Sequence, residues 1–182
     1  MAFNVSEMRS QLIGGGARPT LFEVQITNPI NGIADFKIPF MIKAASLPAS
    51  TIGQIEVPYF GRKIKIAGDR TFEDWEVTVV NDEDFAVRNA MEEWMNAVNS
   101  HVGNLRSTAN LAPESYKAQA QVRQFSKTGA MIREYTFNGL FPSNISAIET
   151  SWETNDTIEE FSLTLGYDWW ETSGGSTGIS TT

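Results

Sequence analysis

Cysteine is missing from all 182 residues, and histidine occurs once. The first absence excludes a disulfide framework, a thiolate nucleophile and any zinc site built on sulfur. The second leaves one imidazole, His101, for acid–base chemistry. Base is scarce beside acid: 14 Lys and Arg face 22 Asp and Glu, a net charge of −8. That balance argues against a basic sheath for nucleic acid, because counterion release needs clustered Lys and Arg. Long apolar runs are missing too. Residues 1–20 hold no apolar stretch of signal-peptide length, and nothing approaches the ~20 apolar residues of a membrane-spanning helix. The expectation is one soluble domain over 1–182, made in a cytoplasm. A chain this long buries roughly 70% of its unfolded surface without staples.

The charge is uneven. Residues 71–100 hold eight acids and one base, and residues 141–182 hold seven acids and no base. Weakly basic stretches alternate with these two blocks. A solvated acidic face is one reading; complementary patches between copies of the chain is the other.

Period-two alternation dominates the pattern, and it predicts half-buried antiparallel strands. Phe22, Val24 and Ile26 alternate with Glu23 and Gln25, and Trp75, Val77 and Val79 with Glu76 and Thr78. Ala118, Ala120 and Val122 alternate with Gln119, Gln121 and Arg123, and Tyr135 and Phe137 with Glu134 and Thr136. The longest run joins Phe161, Leu163, Leu165, Tyr167 and Trp169. Phe36, Ile38, Phe40 and Ile42 also alternate, and Pro39 marks that stretch as an edge strand or a bulge. One segment follows another period. Val87, Ala90, Met91, Trp94, Met95 and Val98 form a helical stripe, with Asn81 or Asp82 as cap and Gly103 as a stop. The fold class is mainly β: an antiparallel rolled sheet or β-barrel of seven or eight strands, with one flanking helix over about 83–100. Residues 1–18, with Gly14-Gly15-Gly16, and 171–182, with Gly174-Gly175, read as flexible arms.

Chemistry-bearing motifs do not emerge. Gly14-Gly15-Gly16 is not followed by Lys-Ser/Thr, and Asp82-Glu83-Asp84 lacks the glycine and terminal Glu of a calcium loop. No nucleophile-elbow sequence accompanies His101. No catalytic, cofactor-binding or metal-binding residue is expected, and no enzyme activity. What stands out is residues 47–70, a candidate extended hairpin richer in apolar and basic residues than a simple connection needs. An ordinary pair of edge strands and a protruding clasp for a neighbour are equally open readings of it.

Several strings share a family likeness. They are Ala45-Ser46-Leu47-Pro48, Val57-Pro58-Tyr59-Phe60-Gly61-Arg62, Ile66-Ala67-Gly68-Asp69-Arg70-Thr71-Phe72 and Trp75-Glu76-Val77-Thr78-Val79-Val80-Asn81-Asp82-Glu83-Asp84-Phe85. Glu93-Trp94, Tyr135-Thr136-Phe137-Asn138-Gly139-Leu140-Phe141-Pro142, Ser151-Trp152 and Asp156-Thr157-Ile158-Glu159-Glu160-Phe161 follow. In this order and spacing the chain resembles the tail tube proteins of contractile-tailed, T4-like bacteriophages, from about residue 20 to 170. That family is similar in turn to the tube protein of type VI secretion.

The resemblance implies a β-barrel with a flanking helix, homohexameric rings that stack into a tube, and a surrounding tail sheath. It implies a baseplate or initiator at one end and a terminator at the other. It places the protein in the virion tail after assembly in the host bacterial cytoplasm, with double-stranded DNA passing through without specific binding. Contact candidates between copies are Leu47, Tyr59, Phe60, Arg62, Lys63, Lys65 and Arg70 on the hairpin. Their acidic counterparts are Asp74, Glu76, Asp82, Asp84, Glu149, Glu153, Glu159 and Glu160. A tube that delivers proteins and a monomeric ligand-binding barrel are the competing readings. For a DNA conduit, the net charge of −8 becomes an asset, since like charge keeps a duplex off the wall within a Debye length of ~8 Å.

Overall fold

Most of the segments that alternate in polarity form strands, and the core is where their apolar faces meet. The computed structural model describes residues 5–173. Its elements are α1 (Val5–Gln11), β1 (Phe22–Ile26), α2 (Ile38–Met41), β2 (Ile42–Ala45), β3 (Thr51–Tyr59), β4 (Arg62–Thr71) and β5 (Trp75–Val80). They continue with α3 (Ala86–Val98), α4 (Pro113–Tyr116), β6 (Ala118–Phe125), β7 (Met131–Ile145), β8 (Glu160–Gly166) and β9 (Trp169–Ser173). All strand pairs are antiparallel. The fold is mainly β, as the alternation requires.

β7 organises the roll. Its first part pairs with β6 on one edge and β9 on the other; its last part pairs with β8. The result is one sheet in the order β1-β6-β7-β9 that continues through β7 into β8-β5-β2. The corner falls at Gly139, whose φ of 71° is a left-handed value that L side chains rarely adopt. A Cβ there would also come within 2.7 Å of Asp168 Cγ. That carboxylate is held by Lys117 at 2.7 Å, so making room for a side chain would disturb the ion pair.

The β1-β6-β7-β9 and β8-β5-β2 parts of that sheet pack as two sheets whose inner faces close on one core. Val24, Ile26, Ala120, Val122 and Phe137 face Trp75, Val77, Val79, Phe161, Leu163 and Leu165, all buried. Trp75 stacks on Phe137 at 4.3 Å between ring centroids, joining the two sheets through their largest side chains. Helix α3 adds Val87, Ala90, Met91 and Trp94 from its apolar stripe. Burying side chains of this size contributes about 1.5–3 kcal/mol each. The indole N–H groups are satisfied: Trp75 donates to Ser46 O at 2.8 Å and Trp94 to Tyr116 O at 2.7 Å.

Several expectations need correction. The stretch around Pro39 is not an edge strand: α2 begins there, and β2 starts only at Ile42. Ile38 and Ile42 are buried while Phe36 and Phe40 are exposed, which is a spacing of four, and proline is welcome in a first helical turn. Neither Asn81 nor Asp82 caps α3. Phe85 occupies the cap position in a left-handed conformation, and Asp84 accepts from the Ala86 N–H at 3.1 Å. The helix stops at Asn99, ahead of Gly103. The last apolar run breaks at Tyr167–Asp168 into β8 and β9; the roll has seven strands, within the seven or eight expected, and β3 and β4 bring the described residues to nine. Glu171, Thr172 and Ser173 belong to β9 rather than to a tail; the rest of that expected arm, including Gly174-Gly175, lies outside the described residues, as do residues 1–4. Within the expected N-terminal arm, α1 is helical and buries no side chain.

Candidate functional site

β3 and β4 form a two-stranded sheet of their own, apart from the roll. Their two-residue turn, Phe60-Gly61, has positive φ at both positions (43° and 79°), as a type I′ hairpin turn demands. Register then sorts the side chains. Ile55 pairs with Ile66, Val57 with Ile64 and Tyr59 with Arg62, so these six share one face. Gln54 pairs with Ala67, Glu56 with Lys65 and Pro58 with Lys63 on the other.

The first face is apolar and lies in solvent: its Ile, Val and Tyr side chains are 42–64% exposed. Phe60 at the tip is 90% exposed and meets Tyr59 edge-on at 4.6 Å. Every residue of β3 is exposed. A hairpin that contributes nothing to its own core, yet carries a contiguous apolar face, is a surface for another molecule.

The expected contact residues divide by this geometry. Leu47 is exposed just ahead of the hairpin. Arg62 stands on the apolar face, beside Tyr59, while Lys63 and Lys65 stand on the opposite, charged face. Lys63 bonds Glu56 of its own hairpin at 2.6 Å. Arg70 pairs with Ile52 near the base.

The acidic candidates separate as well. Asp82 and Asp84 both accept from Lys37, Asp82 at 2.9 Å. The bond from Lys37 is the first cause that holds each carboxyl below the usual range, and the same bonds, Asp84 before Asp82, raise the Lys37 ammonium. Glu159 accepts from Asn81 at 3.0 Å, and Glu160 pairs with Lys43 at 2.6 Å. Asp74, Glu76, Glu149 and Glu153 are exposed, with no ion pair among the described residues. Asp74 and Glu73 join burial, the larger cause, in raising the Tyr167 phenol.

His101 lies in the turn after α3, exposed, with Nδ1 2.9 Å from Asn96 Oδ1.

Two surfaces went unnamed at the level of sequence. One is the apolar hairpin face; alternation of Ile64 and Ile66 with Lys63 and Lys65 was its readable signal. The other is the outer face of β1-β6-β7-β9. Register aligns Gln25, Gln121, Thr136 and Glu171 across it, then Glu23, Arg123, Glu134 and Ser173, and Gln119 with Asn138 and Trp169. Only one of these side chains is aromatic; the rest are amides, hydroxyls and charged groups. Among the described residues no strand pairs with the outer edge of β1 or of β9, so both ends of this sheet offer free backbone groups.

A mainly β roll with open strand edges and a detached hairpin with an exposed apolar face defines a class of protein built to pair with other chains. The chain belongs to the phage tail tube protein family, whose model matches residues 17–173. It is 36% identical over 159 residues to tail tube protein gp19 of Enterobacteria phage T4, covering 87% of this chain and 93% of that one. It is a structural component of the phage tail. Among solved structures, it superposes on a chain of the tube-terminating cap structure of the anti-feeding prophage with a TM-score of 0.63 at 17% identity, covering 86% and 90% of the two chains. A chain of the sheath–tube complex of an extracellular contractile injection system gives 0.56 at 14% identity, covering 94% and 99%. At these identities the likeness is one of fold.

Proposed function

We propose that this chain forms six-membered rings that stack into the inner tube of a contractile tail, with double-stranded DNA passing through the bore. One observation carries the reading: the sheet β1-β6-β7-β9 has two unpaired edges on opposite sides and a polar outer face. Pairing β1 of one copy with β9 of the next satisfies both edges, and repeating that heterologous contact closes a ring. The polar face then lines the bore. The hairpin reaches a neighbouring copy, with its basic residues meeting acids of residues 71–84 or 149–160. Asp74, Glu76, Glu149 and Glu153 suit that role best, because Asp82, Asp84 and Glu160 already hold lysines of their own chain.

The sheath–tube complex and the terminating cap among the structural neighbours support a sheath outside the tube and a terminator at its end. A baseplate complex would start it, in the host bacterial cytoplasm. The whole of 1–182 acts as one tube domain in this reading.

Electron microscopy of the purified protein at raised concentration tests the proposal. Rings or tubes roughly 100 Å wide are expected from six domains of this size. A protein that stays monomeric at every ionic strength and concentration would sink it.

A further inference from the structure

Among the register-aligned described residues of the polar sheet face Arg123 is the one cation, with Lys117 at the margin paired to Asp168, and the surroundings of Arg123 are specific. Arg123 sits on β6 with Glu23 opposite on β1 and Glu134 opposite on β7. Its Nε donates to Glu134 Oε2 at 2.7 Å, Nη1 lies 3.7 Å from Glu23 Oε2, and Nη2 donates to Gln121 Oε1. The second oxygen of Glu134 accepts from Ser173 Oγ on β9 at 3.1 Å. One polar row therefore crosses all four strands, from one open edge to the other. All three guanidinium nitrogens are directed at neighbours, and the side chain is 29% exposed. The remaining charge among these aligned residues, Glu171, is acidic.

Arginine is the side chain best shaped to grip phosphate, through two parallel N–H groups. Fixed at a bore wall and repeated in every copy, free arginines would form a ring of phosphate clamps. Two carboxylates on one arginine change that. Glu134 takes the Nε–H, Gln121 takes one N–H of Nη2, and Glu23 faces Nη1 as an ion pair, leaving the row with a net negative charge, so a phosphate approaching the fork meets like-charge repulsion from two carboxylates. Arg123 still joins β1, β6 and β7 and so pins their register.

We propose that Glu23 and Glu134 mask Arg123 from polyanions, so that the arginine of this wall does not hold passing DNA. The inference rests on the bore-lining reading above, and the test separates the two. The subunit in solution comes first. Glu23→Gln with Glu134→Gln should raise retention on immobilised inorganic polyphosphate at least tenfold at low salt, with the gain lost as salt rises. Adding Arg123→Gln should return retention to the starting level. Glu7→Gln with Glu114→Gln changes net charge equally and should give no gain. Retention unchanged by unmasking, or unaffected by Arg123→Gln, or matched by the charge control, would overturn the masking.

Placement on the wall is read separately. Since the chain has no cysteine, Gln121→Cys carries the one thiol. In assembled tubes it should react with a small maleimide and be protected from a maleimide on a bulky polymer that labels the free subunit. Equal labelling by the bulky reagent would remove this face from the bore and the proposal with it, while leaving the tube itself standing.

Discussion

At Gly139 the backbone of β7 must take φ of 71° and lie against the Lys117–Asp168 pair. Gly139→Ala should lower stability by about 2 kcal/mol, from the left-handed conformation plus the displaced carboxylate. A thermal melt reads it; an unchanged Tm would mean that the corner tolerates a side chain. The Lys37 tether belongs to the same scale, because one ammonium joins the α2 segment to both acids ahead of α3. Its sign with pH follows from the shifts. Asp82 and Asp84 are held low, so their contribution is complete above the ordinary aspartate range near about 4 and is lost as pH falls through their depressed values. Lys37 is held high, so its contribution is complete below about 10.4 and is lost as pH rises through its raised value. Asp35 works oppositely on the acid side: burial raises it, outweighing the bond from the Asn28 N–H, and its protonation favours the fold. The Tm difference between the parent and Lys37→Met should be flat from about pH 5 to 9 and shrink below about pH 4. A difference that persists in acid would mean that Lys37 acts through packing.

Elements separate what holds the subunit from what joins subunits. Trp75, Phe137 and Trp94 tie two sheets and a helix into one core, whereas β3 and β4 bury nothing. Ile55→Thr with Ile64→Thr keeps strand propensity and removes apolar area from the hairpin. The monomer's stability should move by no more than about 0.5 kcal/mol, as for other surface changes. Assembly, followed by light scattering, should need at least a tenfold higher concentration. Lys63→Glu with Lys65→Glu tests the opposite face and should also block assembly without unfolding. If both double variants form normal tubes, the hairpin is not a contact between copies. The elements also show which sequence patterns were legible. Six alternating runs became strands, that of Ile64 and Ile66 in β4 among them, and the stripe from Val87 to Val98 became α3. The run around Pro39 misled because Phe36 and Phe40, apolar by type, point to solvent, and alternation of residue type is not alternation of burial. The break between β8 and β9 was hidden because Tyr167 and Trp169 continue the period while the chain turns to pair with a different part of β7.

For the whole molecule, the open edges matter more than any single contact. A subunit that leaves the outer edges of β1 and β9 unpaired in the described roll is complete in its core and incomplete in its backbone hydrogen bonding. Closing a ring supplies the missing partners without generating an open-ended sheet, which is the physical reason for favouring rings over fibres of edge-paired strands. Charge follows the same division. Of the two acidic blocks, only Glu171 falls among the register-aligned residues of the polar face. The net charge of −8 therefore lies largely elsewhere, and the non-adhesive character proposed for the bore comes from amides and a masked arginine.

Composition and pattern by themselves determined the class: a mainly β chain without a thiol, one amphipathic helix, and a hairpin with more apolar surface than a connection needs. These follow from local periodicity, which strand and helix geometry impose on any chain. Tertiary structure alone decided which strand edges stay open, which hairpin face is apolar and exposed, and that Glu23, Arg123 and Glu134 meet in one row. Those facts depend on register between segments as far apart as residues 23 and 123, and register is set by packing of the whole core rather than by any local run.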